Sequence, residues 1–265
     1  NKPIFFFFQD PTSIVLTPTS PVMRSGGLAS TNIHAELYDE NLNVTSDGVY
    51  QVTFNVSGPG ILDENLDEIP NIEGIQISTV SGTFDLPLRS TEGTGDVIIT
   101  ATYQPLSDGN AEKQNPTITG QTTVTVRDDL ALKFIPEKTA IPSDFSSATK
   151  INISVVDGND QTVSNFKGKV HFKLLNEAYG KILSSSEKDI NFGKDFVTFQ
   201  ASNKAGEATI SASIDGFETV NATVTTLPKQ TKQIRLESIG DTLESDPSST
   251  LDIQAKLYDT DGNFA

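Results

Sequence analysis

The sequence predicts an all-β chain of β-sandwiches in tandem, and three observations predict it. Apolar residues recur with a period of two, no segment carries the spacing of an amphipathic helix, and one strand-and-turn pattern returns in register three times. Alternation sends successive side chains to opposite faces of a strand, so one face meets a core and the other meets water.

The strands follow in order along the chain. Ile33-Ala35-Leu37 alternate with His34-Glu36-Tyr38, and Val52-Phe54-Val56 alternate with Thr53 and Asn55. Val97-Ile99-Ala101-Tyr103, Val124-Val126, Ile151-Ile153-Val155, Val170-Phe172-Leu174 and Ile210-Ala212-Ile214 continue the pattern. Between them lie turn clusters: Ser57-Gly58-Pro59-Gly60, Ser107-Asp108-Gly109-Asn110 and Asp157-Gly158-Asn159-Asp160. Gly, Asn and Asp accept the backbone angles that end a strand. Short strands at this spacing belong to a sandwich or a barrel.

The repeat aligns without gaps on three aspartates. Ile33-x-Ala35-x-Leu37-Tyr38-Asp39, Ile151-x-Ile153-x-Val155-Val156-Asp157 and Ile253-x-Ala255-x-Leu257-Tyr258-Asp259 each read as a strand entering an acidic turn. Val52-Thr53-Phe54 follows Asp39 at the distance at which Val170-His171-Phe172 follows Asp157. Gly95-Asp96-Val97-x-Ile99-x-Ala101 then matches Gly206-Glu207-Ala208-x-Ile210-x-Ala212, with Leu86 and Leu88 opposite Val197 and Phe199. The first copy is longer, with its extra length expected at residues 63–74 and 104–120.

Ile14 and Leu16, Leu132 and Phe134, and Ile234 and Leu236 each open a copy. The expected organisation is a first sandwich over residues 12–128, a second over 129–228, and the opening strands of a third over 229–265. Residues 1–11, with Phe5 to Phe8 followed by Gln9-Asp10, read as the last strand of a preceding unit or as a linker. The connectors Val126-Arg127-Asp128-Asp129 and Leu227-Pro228-Lys229 are short, so neighbouring units are expected to swing little. Either the chain is a window on a longer array, or an orphan strand finds its partner in another chain.

Composition narrows the function classes. The 265 residues hold 19 basic and 35 acidic side chains, a formal charge of −16. Nucleic acid and anionic membranes require clustered Lys and Arg, so neither is an expected partner. The absence of Cys excludes disulfides, thiolate catalysis and Cys-ligated metals. The longest apolar run, residues 4–8, falls far short of the roughly 20 residues of a membrane helix. The chain opens with Asn1 and no leader-like segment, which predicts a removed leader or an excerpt.

Val155-x-Asp157-x-Asn159 with Val163, then Val170-x-Phe172, then Ala205-Gly206-x-Ala208-x-Ile210-x-Ala212, resembles the bacterial immunoglobulin-like repeat of invasin and intimin adhesins. The first copy repeats the skeleton through Leu37-Tyr38-Asp39, Val52-Thr53-Phe54 and residues 94–101. The resemblance implies tandem immunoglobulin-like sandwiches. Similar units occur in prokaryotic surface-layer and surface-filament proteins. These are framework positions, so the resemblance carries no receptor-binding residues.

Candidate chemistry is sparse. His34 and His171 alternate with the apolar residues and read as solvated or cross-strand-paired histidines, not as acid–base catalysts. Gly93-x-Gly95 lacks the third glycine and the helix of a phosphate loop. The acidic turns supply the oxygens calcium prefers: Asp39 and Asn41, then Asp157, Asn159 and Asp160, then Asp259, Asp261 and Asn263. The last set imitates the opening of an EF-hand loop, with its glycine at position four in place of six. Asp and Asn also populate tight turns for conformational reasons alone, so calcium and plain turn chemistry stand as alternatives.

Two further acidic sites are the run 63–73, read as a solvated loop, and Asp128-Asp129, which could clamp two units through one ion. Asn43, Asn55, Asn152 and Asn221 each head an Asn-x-Ser/Thr triplet, a glycosylation signal where the host performs it.

The leading expectation is a non-enzymatic, extracellular structural or adhesion protein of the cell surface, its units forming a stalk. The alternatives are a surface-layer or filament subunit that contacts its own copies, and a carbohydrate- or protein-binding unit that uses the long loops of the first copy against a host or envelope ligand. Against carbohydrate stands the lack of Trp and a total of five Tyr.

Overall fold

The computed structural model describes residues 11–46, 48–62, 74–79, 81–105, 116–228, 232–240 and 250–258. Among these, the regular elements are twenty strands and one turn of 3₁₀ helix. The expected strands at residues 5–8, and the extra loops at 63–73 and 106–115, lie outside the described residues.

The first nine strands are β1 (Ser13–Pro18), β2 (Val22–Arg24), β3 (Ser30–Tyr38), β4 (Tyr50–Ser57), β5 (Gly60–Leu62), β6 (Ile75–Thr79), β7 (Thr83–Ser90), β8 (Gly95–Tyr103) and β9 (Ile118–Arg127). They form two sheets, ordered β1-β3-β7-β5 and β2-β9-β8-β4-β6. Ile14, Leu16, Ile33, Ala35, Leu37, Leu86 and Leu88 from one sheet meet Val52, Phe54, Val97, Ile99, Ala101 and Val124 from the other in a single buried cluster. Phe54 and Phe84 pack edge to face across it, with ring centroids 5.5 Å apart.

The second set repeats this plan strand for strand. It comprises β10 (Ala131–Pro136), β11 (Ala140–Pro142), β12 (Ala148–Val156), β13 (Gly168–Leu174), β14 (Gly180–Ile182), β15 (Glu187–Ile190), β16 (Lys194–Ala201), β17 (Gly206–Ser213) and β18 (Val220–Leu227). Its sheets are β10-β12-β16-β14 and β11-β18-β17-β13-β15, around a second cluster built on Ile151, Ile153, Val170, Phe172, Val197 and Phe199. A 3₁₀ turn, Glu177–Tyr179, begins with the Asn176 side chain accepting the Ala178 amide.

The topology identifies the fold without reference to any other protein. In each sandwich one sheet holds the first, third, seventh and fifth strands, and the other holds the ninth, eighth and fourth side by side. This is the strand order of an immunoglobulin-like sandwich. The early chain changes sheets: β1 pairs antiparallel with β3, and β2 then crosses to pair in parallel with β9. The second sandwich makes the same switch between β10 and β11.

Two expectations need correction. The expected loop at 104–120 is shorter, because β9 begins at Ile118 and pairs with β8 as far as Tyr103. The Ser57-Gly58-Pro59-Gly60 cluster, read as a turn alone, runs directly into β5, which pairs with β7 from Gly60 onward. A three-residue strand is too short to show a period of two.

The last two strands, β19 (Gln233–Ile239) and β20 (Asp252–Tyr258), form a two-stranded antiparallel sheet. Ile234 pairs with Leu257 and Leu236 with Ala255, as Ile14 pairs with Leu37 and Leu16 with Ala35 in the first sandwich. The same residues that are buried there are exposed here: Ile234 and Leu236 each keep about two thirds of their surface, at 64% and 66%.

Candidate functional site at the joint between the sandwiches

The acidic turns come first, because the sequence singles them out. Asp39 Oδ1 accepts the backbone amides of Asn41 at 2.8 Å and Asn43 at 2.9 Å, and Oδ2 accepts the Asn43 side-chain amide at 3.3 Å. Asp157 Oδ1 accepts the amides of Asn159 and Gln161, each at 3.0 Å. The two turns share a backbone path: Leu42 and Asp160 both sit at φ 63°, and the amides of Leu42 and Asp160 bond the carbonyls of Asp39 and Asp157. The Asn43 and Asn41 amides hold the Asp39 carboxyl below the usual carboxylate range.

These contacts are what a turn-forming aspartate makes. Asp160 points its carboxylate to Lys133, 2.9 Å away. Asp39 and Asn41 lie in the first sandwich, and Asp157, Asn159 and Asp160 in the second, so the structure brings the two turns into separate places. Asp259, Asp261 and Asn263 lie outside the described residues. Among the described residues, no group of three or more His, Asp or Glu side chains is placed to hold a metal ion.

His34 stands opposite Asp85 in the β3–β7 ladder, its Nδ1 2.9 Å from Asp85 Oδ1, and this hydrogen bond raises the imidazole above its ordinary value. His171 approaches Glu187 at 3.6 Å on the neighbouring strand. Both are cross-strand pairs on outward faces, with no nucleophile among the partners described.

The residues that do converge lie where β9 passes into β10. Arg127 ends β9 and Leu130, buried at 2% exposure, already belongs to the second core. Arg127 forks onto Asp129 at 2.8 and 2.6 Å, and Asp129 Oδ2 accepts the Gly158 amide at 3.2 Å. Asp129 is held below its usual range, first by Arg127 and then by that amide. The carboxylate expected to clamp two units through an ion is thus engaged by a guanidinium and the Asp157 turn.

Strand β2 supplies the other half of the joint. Ser25 N bonds Arg127 O at 2.8 Å, which ties the end of β2 to the end of β9. From there Arg24 reaches across: Nε donates to Leu130 O at 3.1 Å, Nη1 donates to Gly216 O at 2.9 Å, and the guanidinium lies 5.7 Å from the Phe217 ring centroid. Each bond from a charged donor contributes on the order of 1–2 kcal/mol net.

Ser20 is buried and accepts the Lys167 amide at 3.2 Å. Val22, on a strand of the first sandwich, packs into the core of the second, while its neighbour Met23 packs into the core of the first. One strand therefore feeds both interiors.

The opposing surface is the turn 214–217, closed by Phe217 N to Ile214 O at 3.0 Å. Gly216 adopts φ +81°, and a Cβ there would lie 2.6 Å from Ala29 Cβ. Only glycine allows both the angle and the approach. Beside this contact lies a cleft of about 530 Å³, floored by Val22, Met23, Phe166, Ile190, Ile214 and Phe217. The sequence reading passed over Ser20, Val22, Arg24 and Gly216. Arg24 carried a signal all the same, as the only Lys, Arg, Asp or Glu between residues 11 and 35.

No family matches the sequence, and no curated protein matches it. Among solved structures the chain is similar to a glycosyl hydrolase family 2 member from Bacteroides cellulosilyticus, at 12% identity over 75% of this chain and 23% of that one, with a TM-score of 0.35. It is similar to FdeC, an Escherichia coli adhesin, at 17% identity over 95% and 74% of the two chains, with a TM-score of 0.37. It is also similar to the D0-D1 domain of intimin, at 20% identity over 82% and 98%, with a TM-score of 0.30. The chain spans about a quarter of the length of the hydrolase. The solved structures similar to it thus include adhesins of the type its repeats resemble, and TM-scores of this size fix neither an activity nor a ligand.

Proposed function

We propose that the chain is a non-catalytic spacer of an extracellular surface protein, in which immunoglobulin-like sandwiches in series hold another part of the protein at a set distance. The observation that carries this reading is the Arg24 bridge at a connector of a few residues. A flexible tether would leave the two sandwiches independent. Here Arg24, Ser20 and Val22 of the first sandwich each engage the second, and Gly216 lets the backbones approach. Burial of Val22 contributes roughly 1–2 kcal/mol and the two Arg24 bonds about 2–4 kcal/mol, several times thermal energy, so one relative arrangement is favoured.

The acidity supports the same reading, since a formal charge of −16 keeps an extended surface protein soluble. The test uses the absence of cysteine, which lets spin labels be placed without background. Labels at Gln121→Cys and Lys173→Cys, both on strands and one in each sandwich, are expected to give a single narrow distance distribution that broadens in Arg24→Ala. A broad distribution in the parent protein would mean a hinge and would remove the spacer reading.

A further inference from the structure

The outward face of β10-β12-β16-β14 differs in charge from the equivalent face of the first sandwich. Three registered rows cross it: Lys133, Ser154 and Lys194; Ile135, Asn152 and Phe196; and Lys150 with Thr198, beside which Leu183 N bonds Thr198 O. Lys181 stands opposite Gln200 on β14. Within the strands the outward positions of this face hold four lysines and no carboxylate; Glu137, one residue beyond β10, continues the row of Lys150, and its amide bonds the Lys150 carbonyl at 2.8 Å.

Lys133 pairs with Asp160, while Lys150, Lys181 and Lys194 make no ion pair among the described residues. Lys150 Nζ lies 4.3 Å and Lys188 Nζ 4.9 Å from the Phe196 ring centroid, so two ammonium groups flank one ring, and Lys188 is ion-paired with Asp195 at 2.8 Å. Ile135, Leu183 and Phe196 are exposed among them, Ile135 at 57%.

The fold does not require lysine here. The equivalent positions of the first sandwich hold Val15 for Lys133, Asn32 for Lys150, Ile61 for Lys181 and Thr83 for Lys194, in the same registers. That face carries Glu36 and Asp85 instead, with His34 between them and one cation, Arg89, opposite Ile61 at the far end of β7. Charge is segregated in the same sense along the chain. Residues 12–128 hold 4 basic and 15 acidic side chains, a formal charge of −11, and residues 129–228 hold 10 and 12, a formal charge of −2. Half of those ten, Lys133, Lys150, Lys181, Lys188 and Lys194, gather on or beside one sheet face.

We propose that this lysine face is a docking surface for a second copy of the chain, which presents the acidic face of its first sandwich, with Glu36 and Asp85, to it. Charge complementarity selects the occupant: the first sandwich, at a formal −11, supplies carboxylates in excess to a sheet face on which lysines outnumber them. The exposed Ile135, Leu183 and Phe196 supply apolar area at the centre, with the ammonium groups around them, the arrangement of an interface core and rim. The contact joins two different patches, so it is heterologous, and copies can add in series.

Sedimentation velocity over about a hundredfold range of concentration, at about 20 mM and about 500 mM salt, tests the proposal. The parent protein is expected to self-associate at low salt and to do so at least tenfold more weakly at high salt. Lys150→Glu/Lys194→Glu is expected to stay monomeric at both, and Lys150→Ala/Lys194→Ala to associate more weakly than the parent, each with an unchanged circular dichroism melt. A parent protein that stays monomeric throughout at low salt overturns the proposal. So does association that ignores salt, or folded variants that associate as the parent does. Tight binding of a soluble polyanion such as heparin by a strictly monomeric chain would assign the face to another partner and equally overturn it.

Discussion

At the residue scale, aspartate at a strand end does conformational work in this chain. Asp39 and Asp157 each gather two amides two and four residues ahead, and Asp144 gathers those two and three ahead, of Ser146 at 2.9 Å and Ser147 at 2.6 Å, adding the Ser147 hydroxyl at 2.8 Å. These bonds lower the Asp144 carboxyl to about 2. Bonds to the charged form stabilise the fold only while the group is ionised. Its contribution is therefore complete above the unfolded value near 3.8 and disappears as pH falls towards about 2. Asp144→Ala is expected to cost about 1 kcal/mol at pH 7 and close to nothing at pH 2, read from urea unfolding at the two pH values. Asp39 and Asp157 were legible as turn residues from composition and repetition. That each carboxylate accepts amides of its own turn could not be read, because residue type alone does not fix where a carboxylate points.

At the element scale, β2 and β11 occupy the same place and do different work. Both cross to the second sheet of their sandwich and pair in parallel with its last strand, and Ser25 and Ser143 close the crossing with the same amide bond, to Arg127 O and Leu227 O. Arg24 ends the first and Pro142 the second, so the guanidinium bridge belongs to the first strand alone. Val22 shows how far the consequence reaches. Val22→Ala removes two methyl groups from the second core, and although it lies in the first sandwich it is expected to destabilise the second by about 1–2 kcal/mol. Native-state hydrogen exchange reports this directly: protection should fall in β13 and β17, and loss confined to β3 and β7 would contradict the assignment. Three-residue strands escape pattern reading because one and a half periods of alternation are no pattern.

For the whole molecule, the question is whether two cores behave as one. The buried clusters are separate, each centred on its own pair of sheets, and joined at Val22 and the Arg24 bridge. Sandwiches joined by a flexible tether unfold each at its own temperature, whereas coupling of a few kcal/mol draws the transitions together. Calorimetry is expected to show one merged transition for residues 12–228, resolving into two in Arg24→Ala; two resolved transitions in the parent protein would place the coupling below what the joint geometry implies. The longer strands, their inward faces and their recurrence were legible in the sequence, because a period of two and a returning aspartate turn are local properties of the chain. Its immunoglobulin-like character was legible through framework positions, since the same core positions must be apolar in every copy. Only the tertiary structure decided that Arg24 crosses to Gly216, that Val22 fills the neighbouring core and that four lysines share one face. Those facts depend on which strands lie side by side and how closely two surfaces approach, and residues 192 positions apart carry no local mark of meeting.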